Sequence, residues 1–195
     1  MSKHPREAED SPKREALLDA ALDLFAELGF HGATVPQVAE RAGVAAGTLY
    51  HYFESKEGLV NVLFQKWKQE LGRVLMTDFP FAEPMRVQFH EIWRRLAEFA
   101  RRHPKAMVFL DMHHHGSYLD ARSIAVEKEM LGPFYALVEH AQRQKALKQV
   151  QPEILGAVVM GTFLGLLTAE RKGLLELSKK TLDVAEELCW EAVRR

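Results

Sequence analysis

The chain has 195 residues, 47% of them hydrophobic and 27% charged, with a formal net charge of −1. That length can bury one substantial core or two smaller ones, and the composition excludes a disordered chain, a collagen-like repeat and a disulfide scaffold. The single cysteine, Cys189, forbids an intrachain disulfide and fits a reducing cytoplasm, while a charge this near zero means that any sign of a nucleic-acid partner has to be local.

Periodicity is helical almost throughout and no alternating strand pattern of useful length occurs, so the expected class is all-α with about nine helices. Residues 1–10 are polar, carry both signs of charge and Pro5, and read as a flexible arm with no secretory signal. Ser11-Pro12 is a helix start, with a hydroxyl at the N-cap and proline where its missing N–H does no harm. Leu17, Leu18, Ala21, Leu22, Phe25 and Leu28 then give one apolar face, ended by Gly29. Thr34-Val35-Pro36-Gln37 has the form of a capping box and opens a short helix to about Ala42. Gly43 turns the chain, a second short helix covers Ala45 to Phe53, and Ser55 caps a long fourth helix to about Met76.

Pro80 and Pro84 place a domain boundary near residue 76, between a head at 11–71 and a larger domain at 77–195. Helices are expected there at 84–101, 105–114, 119–146, 153–171 and 178–195, punctuated by Pro104, Gly116, Pro152 and Gly173, with a kink at Pro133. The most apolar stretch, Ile154 to Ala169, has 16 residues and three glycines. It falls short of the ~20 residues that span a bilayer and reads as a buried helix, with no membrane partner.

Residues 34–53 carry the spacing of a helix-turn-helix. Ala39 allows close crossing, Gly43 supplies the positive φ of the turn, and Leu49 locks the second helix onto the first. Gly47, Thr48 and His51 point away from Leu49 and Phe53, with Tyr50 on the flank. A merely solvated helix would favour Lys and Glu there; this strip suits close approach to a groove, offering hydroxyls and an imidazole to phosphates and base edges.

The segment TVPQVAERAGVAAGTLYHYFESKEGL, with ALDLFAELGF before it, resembles the DNA-binding segment of the TetR/AcrR family of bacterial transcriptional regulators over residues 11–71. Thr34, Ala39, Gly43, Thr48, Leu49, Tyr50, Tyr52, Phe53 and Lys56 fall where that family's pattern places them. The resemblance implies a recognition helix from Ala45 and a DNA-contacting set of Thr34, Val35, Gly47, Thr48, Tyr50, His51, Tyr52 and Lys56, with Tyr50 and Lys56 on phosphates. The free amides of the helix start after Ser55 would reinforce Lys56. Two departures stand out. Ala45 is a poor N-cap, and residues 11–71 hold six basic against eight acidic side chains, so non-specific affinity should be modest, with Lys3 and Arg6 of the arm helping.

Between Phe79 and Tyr135 lie six Phe, four Met, Trp93, Tyr118 and Tyr135. They fill a helical core or line a cavity for apolar ligands; the resemblance favours an effector site. Phe89, Trp93, Phe109, Met112, Tyr118, Met130 and Phe134 are the expected lining. Asp111 is the one carboxylate between Phe99 and Tyr118, which points to an uncharged or weakly polar effector rather than a cation. His113, His114 and His115, with His90, His103 and Asp111 nearby in sequence, raise metal binding. Consecutive helical residues point about 100° apart, however, so the run cannot converge on one ion, and no metal or cofactor is expected. One of the three histidines could line a pocket. No phosphate loop, nucleophile elbow or His-Glu-x-x-His supports an enzyme, and Cys189 reads as apolar filler.

The expectation is therefore a dimeric, ligand-responsive regulator, in the sense of a repressor, on a palindromic operator. A helical binding protein or metalloenzyme centred on the histidines is the alternative. Ile154–Ala169 and the Leu182, Ala185, Cys189, Ala192 face of the last helix would pair across a two-fold axis, setting recognition helices ~34 Å apart. The helix from Ser55 would be the lever between effector and head.

Overall fold

The structure, a computed structural model, describes residues 11–113 and 117–195, with only the backbone of His113. Lys3, Arg6, His114, His115, Gly116 and the His113 side chain therefore lie outside what can be described. Among the described residues there are nine helices: α1 Pro12–Gly32, α2 Val35–Arg41, α3 Ala46–Tyr52, α4 Lys56–Met76, α5 Met85–Arg102, α6 Pro104–His113, α7 Ala121–Arg143, α8 Pro152–Arg171 and α9 Lys179–Val193. The all-helical expectation holds, and α7 runs through Pro133 as one element.

Two compact units form. The first joins the chain up to Leu71 with Arg102–Glu127; the second joins Gly72–Arg101 with Lys128–Arg195. The cut expected near residue 76 follows chain order; by contacts, α6 and the first turns of α7 group with the chain up to Leu71. The cause is aromatic packing. Phe109 of α6 is fully buried, its ring 6.3 Å from that of Phe25 on α1, and Lys105 pairs with Asp23 at 2.7 Å.

In the first unit Leu17, Leu18, Ala21, Leu24 and Phe25 bury the inner face of α1, as the periodicity dictates, but Leu28 is exposed. The helix breaks at the next residue: Gly29 has φ 68° and ψ 179°, so the last turn points elsewhere. Ser11 occupies the N-cap position without capping an amide; its hydroxyl pairs with that of Tyr52 at 2.9 Å.

In the second unit Trp93 is the hub. Its ring meets Phe163 edge-on at 5.5 Å, Phe89 stacks at 6.3 Å, and its indole N–H donates to the Leu182 carbonyl at 3.2 Å. Arg86 pairs with the buried Glu186 and with Glu187, and His90 Nδ1 meets Glu186 at 2.9 Å. The reading of Ile154–Ala169 as a buried helix is corrected. Only 11% of the most apolar window of α8 is buried, and α8 is the one described helix long and apolar enough to cross a membrane. Ile154, Ala157, Val158, Gly161 and Gly165 share an outward face. The face expected on α9 is corrected too. Ala185 and Cys189 are buried in the protomer, where burial pushes the thiol pKa up; Ala192 is exposed as expected, and Val184 and Leu188 join it on the outside.

Candidate nucleic-acid interface

The helix-turn-helix is built from local rules. Gln37 N–H donates to the Thr34 hydroxyl at 3.5 Å and the Gln37 side chain accepts from Thr34 N–H at 2.8 Å, closing the capping box that starts α2. Ala39 is fully buried where the helices cross. Gly43 takes φ 67°, and the chain turns so that Val44 N–H reaches the Ala39 carbonyl at 3.0 Å. Leu49 is fully buried and Phe53 nearly so, which fixes the roll of α3.

That roll presents Gly47, Tyr50 and His51 to solvent, Tyr50 with 58% of its surface exposed. A Cβ on Gly47 would meet nothing within 4 Å, so its backbone can be approached closely. Thr48 and Val35 are half-buried, and Thr34 is exposed but spent on its capping box. Ala45 caps nothing with its side chain.

Two residues of the expected set have other employment. Tyr52 turns its hydroxyl to Ser11, with its ring T-shaped against His51 at 5.1 Å. Lys56, expected on a phosphate, is engaged within the chain. Its ammonium donates to the carbonyls of Phe30 at 2.8 Å and Ala33 at 3.1 Å and lies 4.1 Å from the centroid of the Phe30 ring. The break at Gly29 leaves those carbonyls without helical partners, and a cation is the strongest donor available to them. Other bases of residues 11–71 are also engaged: Arg41 with Glu27, Lys66 with Glu15, and the buried Lys68 with Glu127 at 2.7 Å. Lys13, exposed on the first turn of α1, has no ion-pair or hydrogen-bond partner among the described residues. Sequence reasoning passed over it because a lone lysine has no spacing signature.

The residues of the expected effector lining are shared between the two units. Phe109, Met112 and Tyr118 belong to the first unit and Phe89, Trp93, Met130 and Phe134 to the second. Tyr118 stacks on Phe30 at 4.1 Å, and Met112 lies against Gly29 while half-exposed. Both are tied to the α1 break, which the sequence did not associate with the α6–α7 turn. Of the other histidines, His103 packs on Trp67 at 5.0 Å in the first unit, and His90 belongs to the second. Among the described residues no metal-holding group of His, Cys, Asp and Glu is found.

Residues 17–63 match the family described as bacterial regulatory proteins, tetR family, and residues 64–195 the tetracyclin repressor-like C-terminal domain. The chain is 24% identical over 176 residues to YhgD, an uncharacterized HTH-type transcriptional regulator of Bacillus subtilis (strain 168), spanning 87% of this chain and 90% of that one. It is 53% identical over 49 residues to the HTH-type transcriptional regulator RutR of Escherichia coli (strain K12), a match limited to 25% of this chain and 23% of RutR. The crystal structure of a TetR family transcription regulator from Marinobacter aquaeolei VT8 superposes with a TM-score of 0.85 at 22% identity, over 97% of this chain and 98% of that one.

Proposed function

The chain belongs to the TetR family, DNA-binding transcriptional regulators rather than enzymes, and on that premise we propose that it is a ligand-responsive repressor that binds a palindromic operator as a homodimer. DNA is engaged through the helix-turn-helix, with Gly47, Thr48, Tyr50 and His51 of α3 facing the groove and Lys13 on a phosphate. Thr34, Val35, Tyr52 and Lys56 hold that surface in place.

One observation carries the assembly. The outward faces of α8 and α9 are apolar where a monomer in water needs charge, with Ile154 49%, Val158 38%, Val184 53% and Leu188 68% exposed. Their union with the same faces of a second copy, about a two-fold axis, removes that surface from water, and the bare Gly161 and Gly165 allow close approach. A second copy, rather than lipid, covers α8, and the protein works in the cytoplasm with its DNA.

The effector is a small, weakly polar molecule. Phe89, Trp93, Met130 and Phe134, in the unit built around stacked aromatic rings, are the side chains that would receive it. It acts by preferring one arrangement of the heads, for which a difference of about 1–3 kcal/mol suffices. The test is light scattering at micromolar concentration with a gel shift on the DNA upstream of the gene. A dimer that shifts this DNA, and releases it with an apolar compound found by thermal-shift screening, is expected. A monomer, or a dimer that no bound compound releases, overturns the reading.

A further inference from the structure

The corner between α1 and α2 decides where the helix-turn-helix begins, and it opens on the break in α1 at Gly29. After Gly29 the chain bends, and Phe30 to Ala33 lead directly into the Thr34 cap of α2. Base readout needs the recognition helix held to within about half an ångström, so something must fix this corner. Lys56, at the start of α4, holds two of its carbonyls. The Phe30 ring adds further support: Phe25 stacks on it at 6.3 Å, and Tyr118 lies on it at 4.1 Å and 22°.

Tyr118 sits in the turn between α6 and α7 and needs an anchor of its own. Asn61 of α4, buried and 57 positions away, supplies it. Its amide N–H donates to the Tyr118 carbonyl at 2.9 Å and to Glu57 of its own helix at 2.9 Å. Its amide oxygen accepts from Asp120 N–H at 2.8 Å and from the fully buried Ser123 hydroxyl at 2.7 Å. The four bonds use the full capacity of the side chain. Gln65, one turn along α4, donates to the same Ser123 oxygen at 3.0 Å, and Asp120 caps α7 through Ser123 N–H at 2.7 Å. A satisfied buried network of this kind has one geometry, since any slip leaves a polar group unpaired.

We propose that Tyr118 and Asn61 are positioning residues for DNA recognition: α4, through Asn61, locks Tyr118 against Phe30 and so sets the corner from which α2 and α3 depart. The ring alone makes the contact with the corner, while the Tyr118 backbone makes the contact with Asn61. Loss of either frees the corner but leaves the Lys56 support, the capping box and the α3 surface in place. Specific binding, which needs registration, should fall. Non-specific binding, which needs only charge, should not.

The proposal rests on the DNA-binding role, which is checked by the first step of its test: the wild-type protein selects a duplex from a random-sequence pool. Affinity for that duplex and for a scrambled one of equal length is then measured well below each variant's melting temperature. Tyr118→Ala and Asn61→Ala should each weaken binding to the selected duplex about tenfold, leave the scrambled duplex unchanged, and together cost no more than the worse single change. Tyr118→Phe, which keeps the ring, should bind like wild type. If Tyr118→Ala does not fold, Tyr118→Leu, which keeps bulk without the stack, carries the comparison. Unchanged affinity for the selected duplex, equal losses on both duplexes, or a Tyr118→Phe as weak as the ring-less variant overturns the positioning role. Failure of the wild type to select any duplex would instead overturn the DNA-binding reading.

Discussion

Two outward surfaces of this protein present side chains unusual for a solvated helix, for opposite reasons. The face of α3 offers Gly47, Tyr50 and His51, small or polar groups that can meet a phosphate or a base edge. The face of α8 and α9 offers Ile154, Val158, Val184 and Leu188, which have nothing to offer but area. One surface is built to meet a polyanion through shape and hydrogen bonds. The other, on the proposed reading, meets a second copy of itself.

The largest effect should come from charging the apolar surface. Leu188→Glu, or Val158→Glu, puts a carboxylate where two copies would meet, and light scattering should report a monomer. Operator affinity should fall by about 100-fold or more as the two half-sites lose their link. A dimeric Leu188→Glu with normal DNA binding would end the comparison. Next is Lys56→Met, which removes both carbonyl bonds and should cost about 1.5–3 kcal/mol, lowering Tm by roughly 5 °C or more in calorimetry. Its salt slope of DNA binding should stay that of wild type, whereas Lys13→Ala should remove about one phosphate from the slope with Tm unchanged. Tyr50→Ala should weaken DNA binding about tenfold without altering assembly. If it instead weakened the dimer, the two surfaces would not be independent.

The smallest expected effect is in acid. Hydrogen bonds from Arg94, and then Arg95, hold the Glu91 carboxyl down to about 2 against the opposing cost of burial. A carboxyl lowered on folding contributes stability above its ordinary value of 4.5 and loses it as pH falls from there towards 2. Glu91→Gln should therefore flatten the Tm–pH curve in that window and leave DNA binding at neutral pH alone.

Most of the head was legible because local rules set it. The capping box at Thr34, the positive φ at Gly43 and the burial of Leu49 each follow from a few neighbouring residues. The use of Lys56 was not legible, since its partners are backbone carbonyls exposed by a break at Gly29, 27 positions earlier, that no side chain announces. The aromatic list of the second half was legible as apolar, but which partner each ring takes was not. Phe109 and Phe89 are chemically alike, and only the fold sends one to Phe25 and the other to Trp93. The exposed faces of α8 and α9 failed for a related reason: a sequence shows that a residue is apolar, not whether its own chain covers it.

Because Arg102–Glu127 completes the first unit, the head cannot be finished when Leu71 leaves the ribosome. At ~5–20 residues per second, several seconds pass before Phe109, Ser123 and Glu127 have all emerged. During that interval Phe25 has no Phe109 to cover it, Asn61 has no turn to grip and Lys68 has no counter-ion. The part of the chain that touches DNA is thus translated first and matures last. A chain cut short before residue 109 would leave Phe25 without the Phe109 ring and Lys68 without Glu127.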